Sequence, residues 1–295
     1  VVANLRKIEM KKILVVNGEK YWQDLLPDFE VTQKSIQDTS WVLKNGKLYV
    51  ADSNGVVEPD GILWRVGAIK PTAIQTTALN LIELCGIPCV NSAETLKIGF
   101  DRLSMLSTIK KQGLPIIDFN VVTKSHHLKN IKIDFPFVVK VGNFHGGFGK
   151  VLIENEKKWQ DIKDLLFVTE HYITIEPYIN YKRDIRYIVI NDKVWAMSRK
   201  GRYWKANVET TDFTEFEPKK DLSDKLKKLQ KEIKANILAI DILEEENGKL
   251  HIVEYNDIPG LSGFTDELKY ELAEVLKRKL ATTMYKNNSG LIAKI

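Results

Sequence analysis

A chain of 295 residues, 44% apolar and 28% charged, holds enough material for two or three compact units and has the composition of a folded protein. No apolar run approaches the ~20 residues needed to span a bilayer, and the opening VVANLRKIEMKK lacks the apolar stretch of a secretory signal. A net charge of +5, spread over scattered lysines, gives no indication of nucleic acid and suits an anionic small molecule.

Met10 followed by Lys11-Lys12 reads as a natural start, which leaves residues 1–9 as an upstream extension or an expression remnant. Ile13 to Val16 is a short strand of the buried type, and Trp41 to Val50 forms a hairpin about Asn45-Gly46. Ile62 to Val66 is a further strand. Pro71 to Cys85 has helical spacing and stops at Gly86, and the next strand starts at Pro88-Cys89-Val90. This alternation predicts a small parallel α/β domain over residues 10–92. Cys85 and Cys89 have no nearby His, so they make no zinc site and fit a reduced, cytoplasmic compartment.

Ser92 to Gln112 reads as one helical region. Phe135 to Glu154 places two strands around a loop with Gly142, Gly146, Gly147 and Gly149. A helix follows near Lys158 to Leu166, and then a strand, Ile173 to Ile175, that runs into Glu176-Pro177-Tyr178-Ile179. Arg186 to Ile190 and Val194 to Ser198 are strands around Asn191-Asp192. Leu222 to Asn236 is a lysine-rich amphipathic helix, and Asp266 to Lys279 a closing helix. Residues 93–179 and 180–295 are read as two further subdomains.

Three groups of residues carry chemistry. The first is in Asn236 to Gly263, where two apolar strands flank Asn247-Gly248. A two-residue turn there makes facing residue numbers sum to 495, which sets Asp241 opposite Glu254, with Asn256 on the same face and Ile240, Ile242, Val253 and Tyr255 on the other. Facing carboxylates repel. A hard divalent cation, Mg²⁺ or Mn²⁺, removes the objection; the alternative is an exposed acidic face. The second group is the glycine loop with Lys140. Gly149-Lys150 is followed by Val151 and a strand, so it is not a Walker loop, but bare amides between two antiparallel strands can fold over phosphates. An ordinary turn is the competing reading. The third group comes from the Asn191-Asp192 loop, whose facing numbers sum to 383, so that Asp184 faces Arg199 and Arg186 shares their face. This is either a cross-strand ion pair or a basic wall for phosphate and an anionic substrate, which Lys205 and Asn207 would join. His126, His127, His145, His171 and His251 do not cluster.

The order of these segments resembles the ATP-grasp superfamily, in its synapsin-like and ribosomal-protein glutamate ligase-like branches. The resembling residues are Val90-Asn91-Ser92, Asp101-Arg102, PFVVKVGNFHGGFGKV, IEPYI, DIRYIVI, Trp204-Lys205-Ala206-Asn207, and Asp241 with IVEYNDIPGLSG. The resemblance implies an α/β N-terminal domain plus an α+β ATP-grasp pair of subdomains that clamp a nucleotide. ATP would be held by Arg102, Lys140, Gly146, Gly147, Gly149, Asp184 and Lys205, with main chain from Glu176 through Tyr178 to Ile179 reading the adenine. Asp241, Glu254 and Asn256 would hold Mg²⁺, and Arg186, Arg199 and Asn207 would face the transferred phosphate and the substrate carboxylate. The implied activity is an ATP-dependent carboxylate–amine ligase, acting through an acyl phosphate on small-molecule or peptide substrates, as a homodimer. A synapsin-like ATP-binding scaffold without turnover and a small-molecule kinase are the competing readings.

Overall fold

The computed structural model describes residues 10–67, 69–201, 203–205, 208 and 210–292, with side chains to residue 282. They fall into two compact units, one holding the described residues of 10–67, 72–94 and 265–292, the other those of 69–71 and 95–264.

The first unit is built on a four-stranded parallel sheet in the order Glu30–Lys34, Lys12–Val16, Gly61–Trp64, Cys89–Val90. The run Ile13 to Val16 is wholly buried, as a strand covered on both faces must be. Helix Ala73–Leu84 starts on a capping box: Thr72 accepts from the Gln75 N–H while the Gln75 side chain accepts from the Thr72 N–H. The hairpin at Asn45-Gly46 has both turn residues at positive φ, and a third strand, Gly55–Val57, extends it into a small antiparallel sheet. Helix Asp266–Ile292 contacts Gly61–Trp64 and Cys89–Val90, so the residues from Thr265 onward, read above as the end of the last subdomain, cluster with the first unit.

The second unit holds two antiparallel sheets. The smaller has the order Lys150–Ile153, Phe137–Val141, Ile173–Pro177, Asn120–Val122. Phe137, Val139, Ile153 and Ile175 form its core against Trp159 and Leu166 of helix Glu156–Phe167. The larger has the order Thr210–Phe216, Lys193–Gly201, Arg183–Ile190, Ile237–Glu244, Leu250–Asn256. One face carries Ile185, Tyr187, Ile240, Ile242, Ile252 and Tyr255, covered by Leu226 and Leu229 of helix Lys220–Glu232 and Met105 and Ile109 of helix Arg102–Lys111. The other face is left for charged groups. The helical region expected over 92–112 divides into two helices, Ala93–Gly99 and Arg102–Lys111, because Asp101 caps the second by accepting from the Ser104 N–H. Among the described residues no helix is long and apolar enough to cross a membrane.

Candidate functional site

The last two strands of the larger sheet set the site. Asp241 faces Glu254 and Ala239 faces Asn256, the pairing expected from a sum of 495. Nearer the turn, however, Ile242 faces Ile252 and Glu244 faces Leu250, a sum of 494. The turn is not the two-residue loop. Glu245 and Lys249 close it, the Gly248 N–H donates to the Glu245 carbonyl, and Gly248 alone of Asn247-Gly248 has positive φ. A bulge between Asp241 and Ile242 restores the register at the carboxylates. Val253 is the extra residue. It therefore leaves the apolar face assigned to it and lines the pocket beside Asp241 and Glu254.

Each carboxylate is answered by cations. Arg186 grips Asp241 through two contacts of 2.8 Å, Nε to Oδ1 and Nη2 to Oδ2. Arg199 lies across from Asp184, as the sum of 383 requires, donates to it at 2.7 Å, and reaches Asp241 at 3.2 Å. Glu254 takes Arg102 Nη1 and Lys150 Nζ, both at 3.1 Å. Lys140 pairs with Glu176. The Asn256 amide lies 3.4 Å from Asp241 Oδ2.

Burial alone would raise the Glu254 carboxyl, but the Lys150 and Arg102 charges outweigh it and hold the group well below the usual carboxylate range. Burial likewise opposes ionisation of Asp241, and Arg186 and Arg199 win there too. At Asp184 burial prevails over Arg199 and pushes the carboxyl up. Burial also pulls the Lys140 ammonium down, with Glu176 opposing.

Five cations, Arg102, Lys140, Lys150, Arg186 and Arg199, thus share this space with four carboxylates, Glu176, Asp184, Asp241 and Glu254. Lys205 adds a sixth positive charge on the same pocket. An excess of buried positive charge is costly unless an anion completes it.

The glycine loop closes over this cluster. Gly146, Gly147 and Gly149 have φ of 65°, 82° and 64°. A Cβ on Gly149 would sit 3.0 Å from the Phe144 ring. Arg102 Nη2 donates to the Phe144 carbonyl and Lys205 Nζ to the Gly147 carbonyl, each at 2.8 Å, while the His145 N–H donates to the Ile69 carbonyl at 2.7 Å. Tyr178 and Ile179 line the pocket, and the Tyr178 N–H is already donated to the Pro136 carbonyl at 3.2 Å. Asn207 lies outside the described residues.

Sequence reasoning missed Lys150. It is the direct partner of Lys140 across the hairpin; both line the pocket, Lys150 on Glu254 and Lys140 on Glu176. The signal was present: pairing Lys140 with Lys150 across the 141–149 loop continues to Phe137 with Ile153. Tyr181, whose hydroxyl donates to the Trp204 carbonyl at 3.0 Å, and Trp204 itself were also missed as pocket walls.

Among the described residues no group of three or more His, Cys, Asp or Glu could hold a metal by itself. Asp241, Glu254 and Asn256 instead offer hard oxygen donors from neighbouring strands, an incomplete shell of the kind that phosphate oxygens and waters finish around Mg²⁺. A cation brought with a phosphate ligand would take these oxygens in exchange for Arg186, which holds both oxygens of Asp241 here, and for Arg102 and Lys150, which hold Glu254.

The family described as Synapsin, ATP binding domain, matches residues 91–281. The glutamate–LysW ligase ArgX of Sulfolobus acidocaldarius is 25% identical over 230 residues, 72% of this chain and 79% of that protein. A probable alpha-L-glutamate ligase of Coxiella burnetii is 26% identical over 232 residues, 74% of each. Among solved structures, the Chryseobacterium gregarium RiPP-associated ATP-grasp ligase, in complex with ADP and a leader and core peptide, superposes with a TM-score of 0.68 at 15% identity, covering 92% of this chain and 97% of that one. This last likeness is one of fold.

Proposed function

The chain belongs to the synapsin ATP-binding-domain family of the ATP-grasp superfamily and is an ATP-dependent carboxylate–amine ligase; on that premise we propose that it joins an amino acid, glutamate foremost, to a peptide or small-molecule carboxylate. The observation that carries this reading is the pair of facing carboxylates set among an excess of buried cations under a glycine loop. A scaffold that only bound ATP would not need Asp241, Glu254 and Asn256 on one face, and the glutamate ligases among its relatives support turnover over that alternative. Two free cysteines accord with a cytoplasmic setting.

In this reading Lys140, Lys150 and Arg102 take the phosphates, and the amides of Gly146, Gly147 and Gly149 cover them. Arg102 and Lys205 then exchange their loop carbonyls for phosphate oxygens. Tyr178, Ile179, Tyr181 and Trp204 enclose the base. Arg186, Arg199 and Asn207 hold the substrate carboxylate near the γ-phosphate. A carboxylate oxygen attacks the γ-phosphorus, the bond to the β-phosphate oxygen breaks, and ADP leaves. The amine then attacks the acyl carbon, loses a proton, and expels inorganic phosphate as the amide forms. Asp241, Glu254 and Asn256 would hold Mg²⁺, which supplies neutralisation of the phosphate charge. The protein's own share is positioning and fixed charge in a site screened from water.

A substrate carboxylate labelled with ¹⁸O tests the sequence of bonds. Transfer of one ¹⁸O per turnover into inorganic phosphate is expected; product formed with unlabelled phosphate would contradict an acyl phosphate.

A further inference from the structure

The face of the larger sheet opposite the carboxylates opens, beside the start of helix Lys220–Glu232, into a groove of about 530 Å³, within the ~300–1,000 Å³ of small-ligand sites. Its lining is segregated. Lys219, Lys220, Asp221 and Lys225 all come from the helix start. The remainder is apolar: exposed Pro115 with half-buried Leu222 and Leu250, over buried Leu114, Ile242 and Ile252.

The charged end carries a net positive balance that the protein does not use up. Lys219 reaches Glu244 at 3.2 Å, but among the described residues neither Lys220 nor Lys225 has a carboxylate partner. The first helical turn also has no side-chain cap, because its N-cap residue is Lys219. The apolar end offers side chains and little backbone. Pro115 has no N–H, the Ile252 N–H is donated to the Pro115 carbonyl at 2.7 Å, and Ile242 is held in the sheet ladder on both sides.

We infer that this groove is a second ligand site, separate from the nucleotide pocket, for an amphipathic carboxylate with one anionic head and one apolar tail. Lys220, Lys225 and the first-turn amides hold the head; Pro115, Leu222 and Leu250 cover the tail. A peptide is the poorer occupant, since its backbone would lay polar groups along the apolar end, where nothing answers them.

The test is calorimetric titration of the full chain with dodecanoate below its micellar concentration. Saturable one-to-one binding is expected. Lys220→Glu with Lys225→Glu weakens it at least about tenfold and leaves Mg-ATP binding unchanged, and Lys220→Arg with Lys225→Arg retains it. Dodecanol, with the same tail and no charge, binds at least about tenfold more weakly. The inference is overturned by absence of saturable dodecanoate binding, by equal affinity in the Glu double variant, or by an acidic leucine-containing decapeptide that saturates the groove where dodecanoate does not.

Discussion

Glu254 is answered by two cations from separate elements, Arg102 at the start of a helix and Lys150 on the small sheet. Loss of either leaves the carboxylate under-compensated in a buried place. Lys150→Met is accordingly expected to lower kcat/KM for ATP by about tenfold or more, since a hydrogen bond to a charged group is worth ~1.5–3 kcal/mol; a steady-state ATP titration reads it, and an unchanged value would remove Lys150 from the phosphate contacts. Lys150 escaped the sequence reading because a lysine that ends a glycine loop looks like an ordinary strand-edge charge. Only its facing position to Lys140 places it inside. A second residue-scale expectation concerns Glu244. Burial there opposes ionisation, but Arg183 and Lys219 outweigh it, so the folded carboxyl lies below its unfolded value. Its contribution is full above the ordinary carboxylate range and is lost as pH falls through the folded value. The stability advantage of the wild type over Glu244→Gln, measured by urea unfolding, should shrink between about pH 5 and pH 3. An advantage that grew over that interval would reverse the sign.

At the scale of the element, the hairpins show what pattern can and cannot give. Asp184 opposite Arg199 followed from Asn191-Asp192, where Asn191 has φ of 54°. Asp241 opposite Glu254 followed from the wrong turn and a bulge that compensated for it, because alternation in two apolar strands does not reveal an inserted residue such as Val253. Strand Thr210–Phe216 went unread, since TTDFTEF is nearly all exposed at the edge of its sheet and shows no buried period. The Pro-Gly segment after the last strand has a specific steric demand. Gly263 has φ of 84°, and a Cβ there would lie 2.7 Å from the Phe213 ring. Gly263→Ala is expected to destabilise the second unit by roughly 1–3 kcal/mol, read as a lowered urea midpoint; an unchanged midpoint would show that the loop relaxes freely.

For the whole molecule, the alternation of strands and helices before residue 92 correctly forecast a parallel sheet, and the later antiparallel pairs followed from their turns. The placement of helix Asp266–Ile292 with the first unit was not legible, since nothing local to 266–279 names the surface it covers. The same limit applies to the reaction. The charged cluster speaks for phosphate transfer, while the identity of the carboxylate and of the amine lies in contacts that no short motif encodes. The central claim is turnover that requires both partners. It is tested most directly by measuring ADP release from Mg-ATP with pools of amino acids, including glutamate, and of peptides, added singly and together. Release that needs a peptide or carboxylate pool, and that yields amide product only when the amino acid is also present, is the predicted result. ATP hydrolysis that no pool changes, or tight ATP binding with no ADP from any pool, would contradict it.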